Sequence, residues 1–224
     1  MHLIVTMGSA VFWLELTYKL EVVPLFAGGV RGLVVFRRLP RNLRYLVALV
    51  WFGLAVELVS HMLRLQHLPN LVLIPVDAAG ELWLLSLLYG SALQSATFTK
   101  LRPWLAGAFV CYVGLSDWLK PQAAQFKPGL LVLESILVLG LVGLYFRKLL
   151  SELRVQRLSR DPMFWVSTGL LLYFLGKLQI ALFSNYALQH YSNELNAWVW
   201  TIHALLLVLL HSCYCLALWI RPQN

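Results

Sequence analysis

Charged side chains are scarce in this chain: Asp, Glu, Lys and Arg together make up only 12% of its 224 residues. Hydrophobic residues account for 60%, and the mean hydropathy is +0.72, a balance far from that of a soluble domain. The composition therefore indicates an integral membrane protein. A membrane-crossing helix needs about 20 apolar residues, so roughly seven crossings use up the chain and leave no room for a separate soluble domain.

Cysteines are also few, and recognisable catalytic motifs are missing. Cys111, Cys213 and Cys215 all fall in apolar stretches, and their spacing predicts neither a disulfide framework nor a zinc finger. The sequence contains no Glu-x-x-His of di-iron bundles, no His-Glu-x-x-His of zinc proteases and no Gly-x-Ser-x-Gly elbow. His203 and His211 are eight positions apart, so they do not form the His-x-x-x-His pair of seven-span zinc hydrolases. No reaction can be read from a motif.

Seven apolar stretches separated by short loops run through nearly the whole chain. They are too long for barrel strands and lack strand alternation, and a backbone in lipid must satisfy its own hydrogen bonds, which leaves helices. We therefore predict an all-α fold, a polytopic membrane helical bundle that forms one domain over residues 1–224. The predicted transmembrane helices are 8–36, 44–64, 71–93, 104–119, 128–149, 163–187 and 196–220.

Two of these helices have distinctive starts. Glu15, Lys19 and Glu21 interrupt the first stretch, which could begin as an interfacial helix and cross the bilayer only from about residue 22. Asp161 and Pro162 precede the sixth stretch, and this pair predicts an N-cap followed by proline at the first helical position.

The distribution of basic residues predicts the orientation. Twelve of the 18 lysines and arginines follow the first, third, fifth and seventh stretches. The positive-inside rule then places the N-terminus outside and the C-terminus in the cytoplasm of a protein in the cell (inner) membrane. No basic patch is interleaved with stacking aromatics, so the net charge of +8 does not indicate a nucleic-acid partner. The twelve basic residues that follow the first, third, fifth and seventh stretches are Arg37, Arg38, Arg41, Arg44, Lys100, Arg102, Arg147, Lys148, Arg154, Arg157, Arg160 and Arg221.

Seven ionisable residues lie inside the predicted helices, at or outside the membrane midplane. An ionised group in hydrocarbon costs several kcal/mol unless it is paired or hydrated, which marks such residues as candidates for function. Two pairs are spaced four apart and so share a helix face. We expect the set to line one polar cavity that opens outward and binds a small ligand or ion. The members are Glu57, His61, Asp77, Glu81, Glu134, Lys177 and His203.

Other interpretations of the same residues stay open. In the structural alternative, Lys177 pairs with a carboxylate and the rest hydrogen-bond between helices. In the metal alternative, carboxylates suit magnesium, calcium or manganese, and imidazoles add affinity for zinc, iron or nickel. No cofactor follows from the sequence beyond this divalent metal, whose candidate ligands are Glu57, His61, Glu81, Glu134 and His203.

One stretch resembles a known group of proteins. Residues 164–176, Phe-Trp-Val-Ser-Thr-Gly-Leu-Leu-Leu-Tyr-Phe-Leu-Gly, after Leu-Ser-Arg-Asp-Pro at 158–162, resemble a segment in an uncharacterised group of small bacterial seven-span membrane proteins. Glu57, Glu81 and the run Leu133-Glu134-Ser135 are similar to acidic positions of that group. The resemblance implies a seven-span fold and a sensory or signalling context, but no activity. His211 stands where the group has another polar residue, so no role carries over to it.

Three functions remain from different classes. The first is a receptor-like or sensory membrane protein whose ligand-induced helix shifts reach a cytoplasmic or membrane signalling partner. The second is an intramembrane metal-dependent hydrolase acting on lipid, with Glu81 or Glu134 as base and His61 or His203 as ligands. The third is a proton- or cation-coupled carrier, which would need a polar path through the inner half of the membrane, where the sequence offers little beyond Arg31, His211 and Ser212. We favour the first, with the lipid bilayer as surroundings and homo-oligomer formation left open.

Overall fold

The computed structural model describes the backbone of residues 2–119, 128–152, 158–190 and 193–220, and side chains within 12–17, 19–115, 128–151, 158–182 and 196–220. Three of the twelve basic residues in the orientation argument, Arg154, Arg157 and Arg221, lie outside the described residues.

The described residues form α-helices and short 3₁₀ turns, without strands, which confirms the all-α prediction. Of the seven α-helices among them, five are long and apolar enough to cross a membrane: Arg41–Leu65, Asn70–Leu93 with its 3₁₀ first turn, Pro128–Ser151, Pro162–Leu182 and Asn196–Trp219. The first and fourth helices are not among these five. The helices are α1 (His2–Val35), α2 (Arg41–Leu65), α3 (Ile74–Leu93), α4 (Ala96–Leu119), α5 (Pro128–Glu152), α6 (Pro162–His190) and α7 (Asn193–Trp219).

Helix α4 begins before the apolar stretch that the sequence predicts to cross the membrane. The predicted crossing starts at residue 104, after Lys100, Arg102 and Pro103, whereas only two residues separate α3 from α4. Gln94 adopts the left-handed conformation that ends α3, with φ of 52°. The Ser95 hydroxyl then accepts the backbone N–H of Phe98 at 3.4 Å and caps the start of α4. Local capping therefore starts the helix before the charged residues, and Pro103 lies inside it.

Six helices close into a ring. Around it, α1 packs on α2, α2 on α3, α3 on α5, α5 on α6, α6 on α7, and α7 returns to α1, while α4 packs against α3. Gly28 lets α1 and α7 approach closely, because a Cβ at this position would lie 3.3 Å from the Cα of Cys215.

The two halves of this ring differ in character. One half, where α2 and α6 begin and α3, α5 and α7 end, is a packed hydrophobic core with Leu46, Leu85, Val142, Leu170 and Ala217 almost fully buried. Most of the lysines and arginines among the described residues lie at this end, which we call the basic end. The other half, where α3, α5 and α7 begin, holds the acidic side chains of the predicted site together with Lys177 and His203. The bundle therefore has a polar half and a half filled by hydrophobic side chains, which we call the dry half.

The capping prediction at the start of α6 is confirmed. The helix begins at Pro162, and the Asp161 carboxylate accepts the backbone N–H of Met163 at 2.9 Å. The other oxygen of Asp161 accepts the hydroxyl of Tyr145 on α5 at 2.5 Å. One carboxylate thus caps α6 and ties it to α5.

We expect Asp161→Ala to lower the free energy of unfolding by about 1–2 kcal/mol, because it removes the cap and leaves the Tyr145 hydroxyl without its acceptor. Asp161→Asn is the matched control, since asparagine caps helices about as well as aspartate and keeps an acceptor oxygen. Unfolding of the detergent-solubilised protein measures both. Equal losses for the two variants would contradict the capping role.

Candidate functional site

A buried ion pair lies at the centre of the polar half. The ammonium of Lys177 on α6 is 2.9 Å from Oε2 of Glu134 on α5 and 4.0 Å from Oε2 of Glu81 on α3. The rings of Phe174 and Tyr173 lie 4.9 and 5.5 Å from the same ammonium, within range of cation–π attraction. The pairing of Lys177 with a carboxylate, expected in the structural alternative, is therefore present.

This ion pair borders a cavity of about 150 Å³ that we call the lysine cavity. Asp77, Glu134, Lys177 and His203 contribute its ionisable groups, and Ile74, Leu131 and Ile180 are among its apolar lining residues.

A second cavity of about 200 Å³ lies between α1, α2, α3, α6 and α7. Four acidic residues line it, and no lysine or arginine among the described residues does. The remaining wall is largely aliphatic and aromatic, with two histidines and two tyrosines. We call it the acidic cavity. Its acidic members are Glu21, Glu57, Asp77 and Glu81.

Three side chains belong to both cavities. Asp77, Tyr173 and His203 line each of them, so the two spaces adjoin across these residues. The Tyr173 hydroxyl and Nε2 of His203 are 3.4 Å apart, which ties α6 to α7 at this boundary. A change of occupancy in one cavity can thus act directly on the residues that line the other.

Several buried polar atoms of the site have no hydrogen-bond partner within the part of the chain that the structure describes. They are Oε2 of Glu21, Oε1 of Glu134, Nδ1 of His203 and the hydroxyl of Tyr214. Buried polar groups are normally satisfied, and one left without a partner costs about 1–3 kcal/mol. Each of these residues lines one of the two cavities. The arrangement is therefore suited to a polar ligand or to water.

The structure brings six of the seven predicted site residues to the two cavities, and His61 is the exception. Its side chain is exposed and lines neither cavity. A step of four residues along a helix leaves a rotation of about 40°, enough to turn His61 off the inward face although Glu57 lies on it. Glu57 is at the edge of the acidic cavity, and its carboxylate also accepts a 2.6 Å hydrogen bond from Arg64.

The metal set predicted from the sequence is not gathered into one place. Among the described residues, no group of three or more His, Cys, Asp or Glu side chains could hold a metal ion. Of the five candidates, Glu57, Glu81 and His203 line the acidic cavity, Glu134 lines the lysine cavity, and His61 is exposed. Lys177 also places a positive charge beside Glu134 and Glu81, which disfavours a divalent cation between them.

Sequence reasoning missed four lining residues. Glu21 entered only as an interruption of the first apolar stretch, although it is 5% exposed and faces the acidic cavity. Its charge within an apolar stretch was the available signal. His211 was noted without a role, and its Nδ1 lies 3.2 Å from the backbone carbonyl of Glu21. Tyr173 and Tyr214 carried no signal, because tyrosine is common in such helices.

Comparison with known proteins gives no further assignment: no family model, curated protein or solved structure matches this chain.

Proposed function

We propose that this protein is a receptor-like or sensory membrane protein that binds a small ligand in the acidic cavity. The observation that carries the proposal is the cavity itself: four acidic residues line an internal space without a lysine or arginine among the described residues that line it. Retaining several ionisable groups within an apolar bundle is unfavourable unless they are used. The resemblance to small bacterial seven-span proteins of sensory context points the same way.

In this proposal all seven helices cross the cell membrane of a bacterium. Support for the two less apolar helices comes from what they expose: Val34 and Phe26 on α1 are 75% and 57% exposed, and Trp104 on α4 is 77% exposed. Such surfaces on a helix bundle suit contact with lipid. The basic end faces the cytoplasm by the positive-inside rule, and the acidic cavity lies toward the exterior.

The dry half favours a receptor over a carrier. A carrier needs a polar route through both halves, whereas the described residues between the cavities and the basic end form a packed hydrophobic core. A ligand would therefore bind and leave from the same side. Its effect must be passed on by movement of helices.

Helix α3 offers a connection between the cavity and the basic end. Asp77 and Glu81 line the acidic cavity near its start, and the Lys148 ammonium donates to the carbonyls of Ala92 and Leu93 at its end, at 3.1 and 2.8 Å. A shift of α3 on binding would alter this contact with α5. We propose that a cytoplasmic or membrane partner detects the change at the basic loops, with self-association as one form of partnership.

A cavity-filling variant tests the proposal. Gly53 lines the acidic cavity, and a Cβ added there meets no atom within 4 Å, so Gly53→Leu should fold while occupying ligand space. Gly107→Leu on α4 is the matched control, because Gly107 has equally open surroundings and lines neither cavity.

We expect a screen of small polar molecules to find compounds that raise the melting temperature of the wild type and of Gly107→Leu, but not of Gly53→Leu. Ligand at 100 times its Kd stabilises a protein by about 2.7 kcal/mol, which is readily measured. Compounds that stabilise all three proteins equally, or the absence of any stabilising compound, would contradict the proposal.

A further inference from the structure

We infer that the ligand of the acidic cavity is a small organic monocation of the ammonium type. This inference rests on the proposed function, because it names the chemical class of ligand for the same cavity. It is carried by the charges of the lining residues, by one buried acidic side chain without a partner, and by the apolar remainder of the wall.

The charges around the cavity are unbalanced. Glu21, Asp77 and Glu81 face it from α1 and α3, and Glu57 borders it from α2. Two cations offset part of this charge: Arg64 pairs with Glu57 at the rim, and Lys177 is 4.0 Å from Glu81, although it is closer to Glu134. Glu21 and Asp77 have no lysine or arginine at ion-pair distance among the described residues. Buried carboxylates are stabilised by a nearby cation, and the lining itself supplies no lysine or arginine within the described residues.

Glu21 gives an independent indication that a polar ligand belongs here. Its side chain is 5% exposed, it lines the acidic cavity, and its Oε2 has no hydrogen-bond partner within the described ranges. It comes from α1, across the ring from Asp77 and Glu81. A ligand with N–H donors could satisfy Glu21 and at the same time face the carboxylates of α3.

The rest of the wall fits an organic cation better than a bare metal ion. Leu25, Val50, Phe52 and Leu210 supply hydrocarbon surface, and Tyr214 supplies an aromatic ring. A metal ion needs several ligand atoms close together, and no described group of three acidic, histidine or cysteine side chains provides them. An alkylammonium ion instead combines one charge with an apolar body.

An alkylammonium group is already bound by carboxylates and aromatic rings next to the acidic cavity. The side chain of Lys177 is itself an alkylammonium group, held by one carboxylate at 2.9 Å and flanked by the rings of Tyr173 and Phe174. Tyr173 also lines the acidic cavity. A cavity of about 200 Å³ is smaller than the roughly 300–1,000 Å³ of sites for drug-sized ligands, so the cation must be small.

The experiment is a thermal-shift series on the purified full chain in detergent. The probes are n-butylammonium, cyclohexylammonium and tetramethylammonium chlorides, with n-butanol and cyclohexanol as neutral counterparts and butyrate as the anion. Potassium chloride at equal ionic strength controls for salt, and magnesium and zinc chlorides test metals. The proteins are the wild type, Gly53→Leu, Glu21→Gln, Glu57→Gln and Glu15→Gln. Glu15→Gln is the matched control, because the Glu15 side chain is exposed and lines neither cavity.

We expect at least one ammonium ion to raise the melting temperature by about 5 °C near saturation, with no rise from its neutral or anionic counterpart. Glu21→Gln should weaken its binding about tenfold or more, Gly53→Leu should abolish it, and Glu15→Gln should leave it unchanged. If Glu21→Gln does not fold, Glu57→Gln at the cavity rim gives the test, with an expected loss of several fold.

Two kinds of failure are distinguishable. Stabilisation that depends on Gly53 but comes from alcohols, butyrate or metal ions rather than ammonium ions would overturn the inference and leave the proposed function standing. The absence of any stabilisation that Gly53→Leu removes, in this series and in the wider screen, would overturn both.

Discussion

Lys177→Met is expected to lower the free energy of unfolding by about 3–5 kcal/mol, because removing one partner of a buried ion pair leaves the other charge uncompensated. Glu134 is 0% exposed, and Lys177 is its one ion-pair partner among the described residues. Methionine keeps an unbranched apolar chain one atom shorter than that of lysine and removes the charge and the hydrogen bonds of the ammonium group. Unfolding of the detergent-solubilised protein would measure the loss.

A double variant separates the lost charge from lost packing. Lys177→Met/Glu134→Leu replaces both partners by apolar side chains and should recover most of the stability, since such exchanges are often neutral. Arg64→Met is the matched control. It removes the cation of the Glu57 pair, whose side chains are 42% and 36% exposed, and should cost less than about 1 kcal/mol. A Lys177→Met variant as stable as Arg64→Met would contradict the importance of the buried pair.

Gly80→Ala is expected to destabilise the protein by about 1–3 kcal/mol, because overpacking a tight contact forces neighbouring groups to move. A Cβ at Gly80 would lie 2.2 Å from Cζ of Phe52 and within 2.8 Å of two further ring atoms. The ring is rigid and lines the acidic cavity, so it must move as a whole. We therefore also expect weaker ligand binding, measured by thermal shift.

Gly176→Ala is the matched control for Gly80→Ala. Its added Cβ would also lie 2.2 Å from a neighbour, but that neighbour is Cδ1 of Leu206, the far end of a flexible side chain that can change rotamer. We expect a smaller loss of stability than for Gly80→Ala. Phe52→Leu/Gly80→Ala should restore stability relative to Gly80→Ala alone, and equal losses with and without Phe52→Leu would contradict the proposed clash.

Much of the fold can be predicted from the sequence because helix formation in apolar stretches is local. The backbone has to form its own hydrogen bonds there, and caps such as Asp161 with Pro162 mark where helices begin. At α4 the predicted crossing starts at residue 104, after Lys100 and Arg102, whereas the cap at Ser95 starts the helix itself. Charge near a helix start predicts the edge of the apolar region, which need not be the edge of the helix.

The site can be predicted only in part, because it depends on how the helices pack. Six of the seven predicted ionisable residues line the cavities, because an ionisable side chain in an apolar bundle is unfavourable against lipid and packs toward other polar groups. Lys177 is closer to Glu134 than to Glu81 because α6 packs directly against α5. The spacing of residues along one helix does not predict this contact. Glu21 belongs to the cavity because α1 packs against α2 and α7, which is equally nonlocal.

An outward-facing acidic cavity can be tested by labelling Gly53→Cys in intact cells, with the native Cys111, Cys213 and Cys215 replaced by serine. Gly53 lines the acidic cavity and has open space around it. Charged methanethiosulfonate reagents of similar size, one cationic and one anionic, would be added from outside, with Gly107→Cys as the reference. A cavity lined by one sign of charge raises the local concentration of the opposite ion by about tenfold or more.

We expect the cationic reagent to label Gly53→Cys at least about ten times faster than the anionic reagent, relative to the ratio at Gly107→Cys. A small ammonium ligand should slow this labelling. Equal rates for the two reagents, faster labelling by the anion, or no labelling from outside would contradict an outward-facing acidic cavity.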